Sequence, residues 1–120
     1  MLTIPPGLAG RDVCGKAPTG SGKTIAFGLI LAERLRTHTQ GRPSGLVLVP
    51  TRELAQQVQR EIHLLDVDRA YFTTSVFGGA GYGPQLQRLR RAAIVVATPG
   101  RLEDLLQRRD IDLRQVQVCV

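Results

Sequence analysis

The sequence predicts an α/β fold in which a mainly parallel sheet is covered by helices. Short β-branched apolar runs alternate with longer amphipathic segments along the chain, the pattern of strands buried on both faces and joined by helical crossovers. Thr51 and Thr98 each follow such a run and precede a helical pattern, so their hydroxyls can cap the amides of the next turn. A glycine-rich stretch at 17–24 separates the first run from the first long amphipathic segment.

The elements follow in order. Residues 1–6 have neither a basic region nor an apolar one, so no targeting peptide is read there. The first strand is expected over 12–15 and the first long helix over 22–37, with a short connection at 39–44 containing Gly41 and Pro43. A strand at 46–49 then leads to a helix at 52–65, in which Leu54, Val58, Ile62 and Leu65 repeat on one face. A strand at 71–77 runs into a loop with Gly78, Gly79, Gly81 and Gly83, followed by a helix at 82–91. Its basic end, Arg88, Arg90 and Arg91, reads as a solvated helix terminus. A strand at 93–97, a helix at 99–108 opened by Pro99, and a strand at 116–120 complete the pattern. Periodicity does not tell the order of the strands in the sheet.

The chain has 120 residues, 42% hydrophobic and 22% charged, which suits one core and is too small for a two-lobed enzyme. Sixteen Lys and Arg against ten Asp and Glu give a net charge of +6, favouring anionic partners. With no Trp, two Tyr and three Phe, contacts to phosphate are expected rather than base stacking. Cys14 and Cys119, each in an apolar stretch, are expected to be reduced and buried. His38 and His63 have no ligand-spaced neighbour and are expected in surface or capping roles. No run approaches the ~18 apolar residues that span a bilayer, and a cytoplasmic protein is expected.

Ala17-Pro18-Thr19-Gly20-Ser21-Gly22-Lys23-Thr24 carries the strongest chemical signal, because it follows an expected strand and opens an expected helix. It reads as a Walker A loop, with Ala17 where the strict pattern has Gly. Gly20 and Gly22 let successive N–H groups turn around a phosphate, and the helix dipole adds to them. Ala17, Thr19, Gly20, Ser21, Gly22, Lys23 and Thr24 are the expected nucleotide-binding residues. Lys23 can reach the β- and γ-phosphate oxygens, and the Thr24 hydroxyl can take one place in a Mg²⁺ shell.

With that loop in place, four marks resemble the first RecA-like domain of a DEAD-box ATP-dependent RNA helicase. They are Gly10-Arg11-Asp12-Val13 with the loop itself, Pro50-Thr51-Arg52-Glu53-Leu54-Ala55, Gly78-Gly79, and Thr98-Pro99-Gly100-Arg101. The resemblance implies a P-loop NTPase, RecA-like three-layer α/β/α fold, incomplete here, and assigns 1–120 as part of a helicase ATP-binding domain. It implies ATP and Mg²⁺ as cofactors and catalytic roles for Lys23 and Thr24. It also places Thr51, Arg52, Gly79, Thr98, Gly100 and Arg101 on the sugar-phosphate backbone of single-stranded or duplex RNA. Such contacts fix register without reading bases.

The family's Asp-Glu-Ala-Asp motif would follow Val120, and its adenine-reading Gln would precede Met1. A second RecA-like domain is expected in the parent protein, and the isolated 120 residues are expected to be inactive in hydrolysis and unwinding. Two other readings stay open at this point: a different P-loop enzyme such as a small-molecule kinase, against which Pro50–Ala55 argues, and a non-catalytic nucleotide-binding remnant.

Overall fold

The computed structural model describes residues 4–14, 23–35, 42–65 and 72–120. The chain forms α1 (Ile4–Leu8), α2 (Lys23–Arg34), β1 (Gly45–Leu48), α3 (Arg52–Leu65), β2 (Thr73–Val76), α4 (Tyr82–Leu89), β3 (Ile94–Ala97), α5 (Pro99–Gln107) and β4 (Val118–Cys119). The strands make one sheet in the order β2-β3-β1-β4. Every pairing among them is parallel.

Both faces of this sheet are covered. Val47, Ile94 and Val96 pack with Leu31 and Leu35 from the α2 end and with Ala55, Val58 and Ile62 of α3. Leu46, Val95 and Ala97 point the other way and pack with Leu89 of α4 and Leu102 and Leu105 of α5. Alternate residues of one strand therefore feed opposite cores, which is why β1 and β3 are apolar along their length; β2 is equally buried but carries Thr73, Thr74 and Ser75 before Val76. The result is the expected three-layer α/β/α arrangement. α2 and α3 approach closely because residue 28 is glycine; a Cβ there would lie 2.6 Å from Leu65 Cδ1.

The helix expected at 52–65 forms over those residues, and the other expected elements, the strand at 12–15 apart, form within a few residues of their expected limits where those are described. Three expectations are corrected. Residues 12–14 form no strand, and their side chains are exposed. A parallel strand needs a neighbour for its amides and carbonyls, and no described strand lies beyond β4 to supply one. Gly15 falls outside the described residues. Cys14 and Cys119 are exposed rather than buried, the former on that unpaired segment and the latter on the short edge strand β4.

The third correction concerns Thr98. It occupies the N-cap position of α5 but makes no side-chain cap bond.

The helix α1 has no counterpart among the expected elements. Pro5 and Pro6 fit a first helical turn, where a missing N–H costs nothing. Its end is closed by Gly10 at φ 85°, with Gly10 N–H donating to Gly7 O at 3.0 Å and Arg11 N–H to Pro6 O at 3.0 Å. Those paired bonds form a Schellman closure.

Candidate nucleic-acid interface

Register brings the site together. Leu48 of β1 pairs with Ala97 of β3, and Ala97 pairs with Val76 of β2. The strand ends thus lie in one row, and the turns that follow them emerge along a single edge of the sheet. In open parallel sheets that edge is where ligands bind. Thr51 and Arg52, Gly79, and Thr98, Gly100 and Arg101 all belong to those turns.

The turn from β1 to α3 is self-contained. Thr51 Oγ1 accepts the Leu54 N–H at 3.2 Å, and Thr51 O accepts the Ala55 N–H at 3.0 Å. Glu53 adds a carboxylate to the first helical turn, which favours the positive end of the dipole. Arg52 is exposed, and its guanidinium lies over the Phe77 ring, 4.9 Å from the centroid. That is within range of a cation–π contact.

Phe77 begins the turn from β2 to α4. Gly79 has φ 81°, a conformation glycine adopts without the clash of a Cβ. The position a Cβ would take at Gly79 is 3.7 Å from Arg52 Nη1. The first turn therefore touches the second.

The turn from β3 to α5 is built differently. Pro99 opens the helix, no carboxylate lies in its first turn, and no side chain caps it. Pro99 has no N–H, so the amides of Gly100 and Arg101 are the donors that a cap would ordinarily meet. Gly100 is exposed, and no atom lies within 4 Å of where its Cβ would be. Arg101, in contrast, is only 9% exposed. Its Nη1 donates to Gln85 Oε1 at 3.1 Å and its Nη2 to Ala80 O at 3.0 Å. The Arg101 guanidinium also lies over the Tyr82 ring at 4.2 Å, as does that of Arg108 at 4.0 Å. The third turn is thereby fastened to the second.

Tyr82 and Gln85 did not stand out in the sequence. A signal for Gln85 was present: it lies four residues before Leu89 on α4, on the face that packs inward.

Of the phosphate-loop residues, Ala17, Thr19, Gly20, Ser21 and Gly22 lie outside the described residues. Lys23 and Thr24 form the start of α2, Lys23 exposed and Thr24 half-buried. The first turn of α2 has no carboxylate. An ammonium and a hydroxyl beside the positive end of a helix suit a polyphosphate and its metal ion, so the described donor set fits that group.

Comparison with known proteins places the chain in a family. The profile of the DEAD/DEAH box helicase family matches residues 1–120. The chain is 46% identical to DEAD-box ATP-dependent RNA helicase 14 of Arabidopsis thaliana over 120 residues, 97% of this chain and 19% of that protein. It is 43% identical to the DEAD-box ATP-dependent RNA helicase CshA of Streptococcus pneumoniae, covering 98% of this chain and 22% of that one. The chain therefore spans about a fifth of the length of these curated relatives. Among solved structures, a hypothetical ATP-dependent RNA helicase from Sulfolobus tokodaii superposes with TM-score 0.87 at 40% identity, over 98% of this chain and 33% of that one. A DEAD box protein from Methanococcus jannaschii gives TM-score 0.87 at 36% identity, over 97% of this chain and 32% of that one. The match over the whole length decides the assignment: the chain belongs to the DEAD/DEAH box helicase family.

Proposed function

We propose that residues 1–120 are part of the first RecA-like domain of an ATP-dependent RNA helicase, binding nucleotide at the start of α2 and the RNA backbone along the edge of the sheet. The observation that carries this reading is the row of strand ends, which aligns an exposed guanidinium at Arg52, the Gly79 turn and the uncapped start of α5. Such an edge offers amides, hydroxyls and the exposed Arg52 guanidinium to phosphates, contacts that fix register without reading a base.

Lys23 would hold the nucleotide's terminal phosphates, and the Thr24 hydroxyl would serve as a ligand to Mg²⁺. The bound metal and nucleotide supply charge neutralisation and a transferable phosphoryl group. Thr51, Arg52, Gly79, Thr98 and Gly100 meet successive RNA phosphates, from the hydroxyl, the guanidinium and the backbone. Unwinding by the whole protein would couple both ligands to closure against a second RecA-like domain. Among the described residues no helix is long and apolar enough to cross a membrane.

The test is binding of mixed-sequence single-stranded RNA by the full-length chain at several salt concentrations. Binding that weakens with salt, by a smaller slope after Arg52→Ala, is expected. Lys23→Ala is expected to abolish nucleotide binding while leaving nucleotide-free RNA binding in place. Equal affinity at low and high salt, or strong preference for one base, would overturn the RNA reading.

A further inference from the structure

We propose that Arg101 and Gln85 form a latch that sets the shape of the 77–81 turn, so that Arg101 serves RNA binding as a positioning residue and not as a phosphate contact. The proposal rests on the reading of that edge as an RNA track. Its geometry stands independently of RNA.

The turn between Phe77 and Tyr82 has little of its own to fix it. A Cβ placed on Gly78 or Gly81 would meet no atom within 4 Å, so no packing surrounds those positions. Glycine also has the widest conformational choice in the unfolded chain. Order must come from outside the turn, and bonds at its two ends supply it. Gln85 Nε2 donates to Phe77 O at 3.1 Å, and Arg101 Nη2 donates to Ala80 O at 3.0 Å. The two side chains are joined to each other by the bond from Arg101 Nη1 to Gln85 Oε1 at 3.1 Å. Phe77 and Ala80 bracket the glycine pair, so a single bonded chain running from α5 through α4 closes around Gly78 and Gly79.

The same bonds limit what else Arg101 can do. Both terminal nitrogens of its guanidinium are engaged, its plane rests over Tyr82, and the side chain is buried. Three of its five N–H donors remain, but the side chain is only 9% exposed, so to bring them to a phosphate at the surface the guanidinium would have to withdraw from both acceptors, one of them a buried amide, each loss costly in a water-poor setting. A lysine keeps the charge but has no planar fork to hold two acceptors at once. Charge and latch can therefore be separated by substitution.

The experiment compares Arg101→Lys, Arg101→Gln, Gln85→Leu and the Gln85→Leu/Arg101→Lys double variant with the wild type in the full-length chain. A latch predicts that Arg101→Lys and Gln85→Leu each weaken RNA binding about tenfold, although neither removes a charge. The double variant should be no weaker than either single one, since both break one unit. The salt slope should stay that of the wild type in all of them, and nucleotide affinity should not move. A phosphate contact predicts near-normal binding for Arg101→Lys and Gln85→Leu, and a slope reduced by roughly 0.7 in Arg101→Gln; that result overturns the proposal.

Amide hydrogen exchange across 77–86, measured without RNA, provides the independent arm. Exchange should accelerate several-fold in Gln85→Leu and Arg101→Lys and stay unchanged in Arg114→Ala, which lies away from this turn; unchanged exchange in the first two overturns the latch. Should Gln85→Leu fail to fold, Gln85→Glu keeps the acceptor for Arg101 and loses the donor to Phe77, and is read the same way. A wild type with no salt-dependent RNA binding would overturn the RNA reading alone, and the exchange arm would then decide the latch.

Discussion

The turns that follow β1 and β3 look alike in sequence and behave as opposites. Each runs from a buried strand through a threonine into a helix with an arginine in its first turn. After β1, Thr51 and Glu53 satisfy the helix start internally, and Arg52 is left facing solvent over Phe77. After β3, the helix start is left open and Arg101 is drawn inward to Gln85 and Ala80. One turn offers an anion a side-chain cation, and the other offers it backbone amides. The lesson is that an arginine in the first turn of a helix is not thereby free to meet an anion; its neighbours decide whether its guanidinium is drawn inward.

The sharpest way to break this comparison is to remove each guanidinium and measure stability by urea denaturation. Arg101→Ala should cost about 3 kcal/mol, because it strands a buried amide oxygen and a partly buried carbonyl. Arg52→Ala should cost no more than about 1 kcal/mol, the worth of an exposed cation–π contact. Equal losses would erase the distinction between the turns.

A smaller effect is expected in the turn that both arginines touch. Gly79→Ala should destabilise by roughly 1–2 kcal/mol because its φ of 81° crowds a Cβ against the following carbonyl. Gly78→Ala, which has space around it, should be close to neutral. Thermal melts of the two variants check this, and a neutral Gly79→Ala would mean that the turn readily adopts another shape.

The caps should differ by less. Thr51→Ala should lose about 1 kcal/mol with its bond to the Leu54 amide. Thr98→Ala should lose only a few tenths, since its hydroxyl caps nothing. Similar losses would show that Thr98 caps α5 after all.

The smallest effect lies away from this edge, in the connection leading to β4. The Arg114 side chain, by its hydrogen bonds at 2.8–3.3 Å, holds the Asp112 carboxyl well below the usual carboxylate range, with help from Arg42 at 3.5 Å. A folded-state pKa below the unfolded value of about 3.9 means the stabilisation is fully present above that value and is lost as pH falls toward the folded one. Arg114→Ala should move the Asp112 titration, followed by NMR, back up toward the ordinary range and leave RNA binding unchanged. An unmoved titration would show that Arg114 is not the cause.

Much of this was legible locally. The helix at 52–65 could be bounded to the residue because its apolar face repeats within the segment and Thr51 stands at its start. The strand-threonine-helix turns are likewise written in adjacent residues. The strand expected at 12–15 failed for a reason no local pattern contains, since a strand exists only where another chain segment meets its hydrogen bonds. Exposure of Cys119 has the same origin: an apolar setting in sequence does not reveal that a strand is at the edge.

The sequence by itself determined most of the elements and the family, because each depends on residue types at short spacing. Only the tertiary structure decided the order β2-β3-β1-β4, the register that brings Leu48, Ala97 and Val76 into one row, and the inward course of Arg101. Those are contacts between residues far apart in the chain, and a guanidinium turns toward whichever acceptors folding places within its reach.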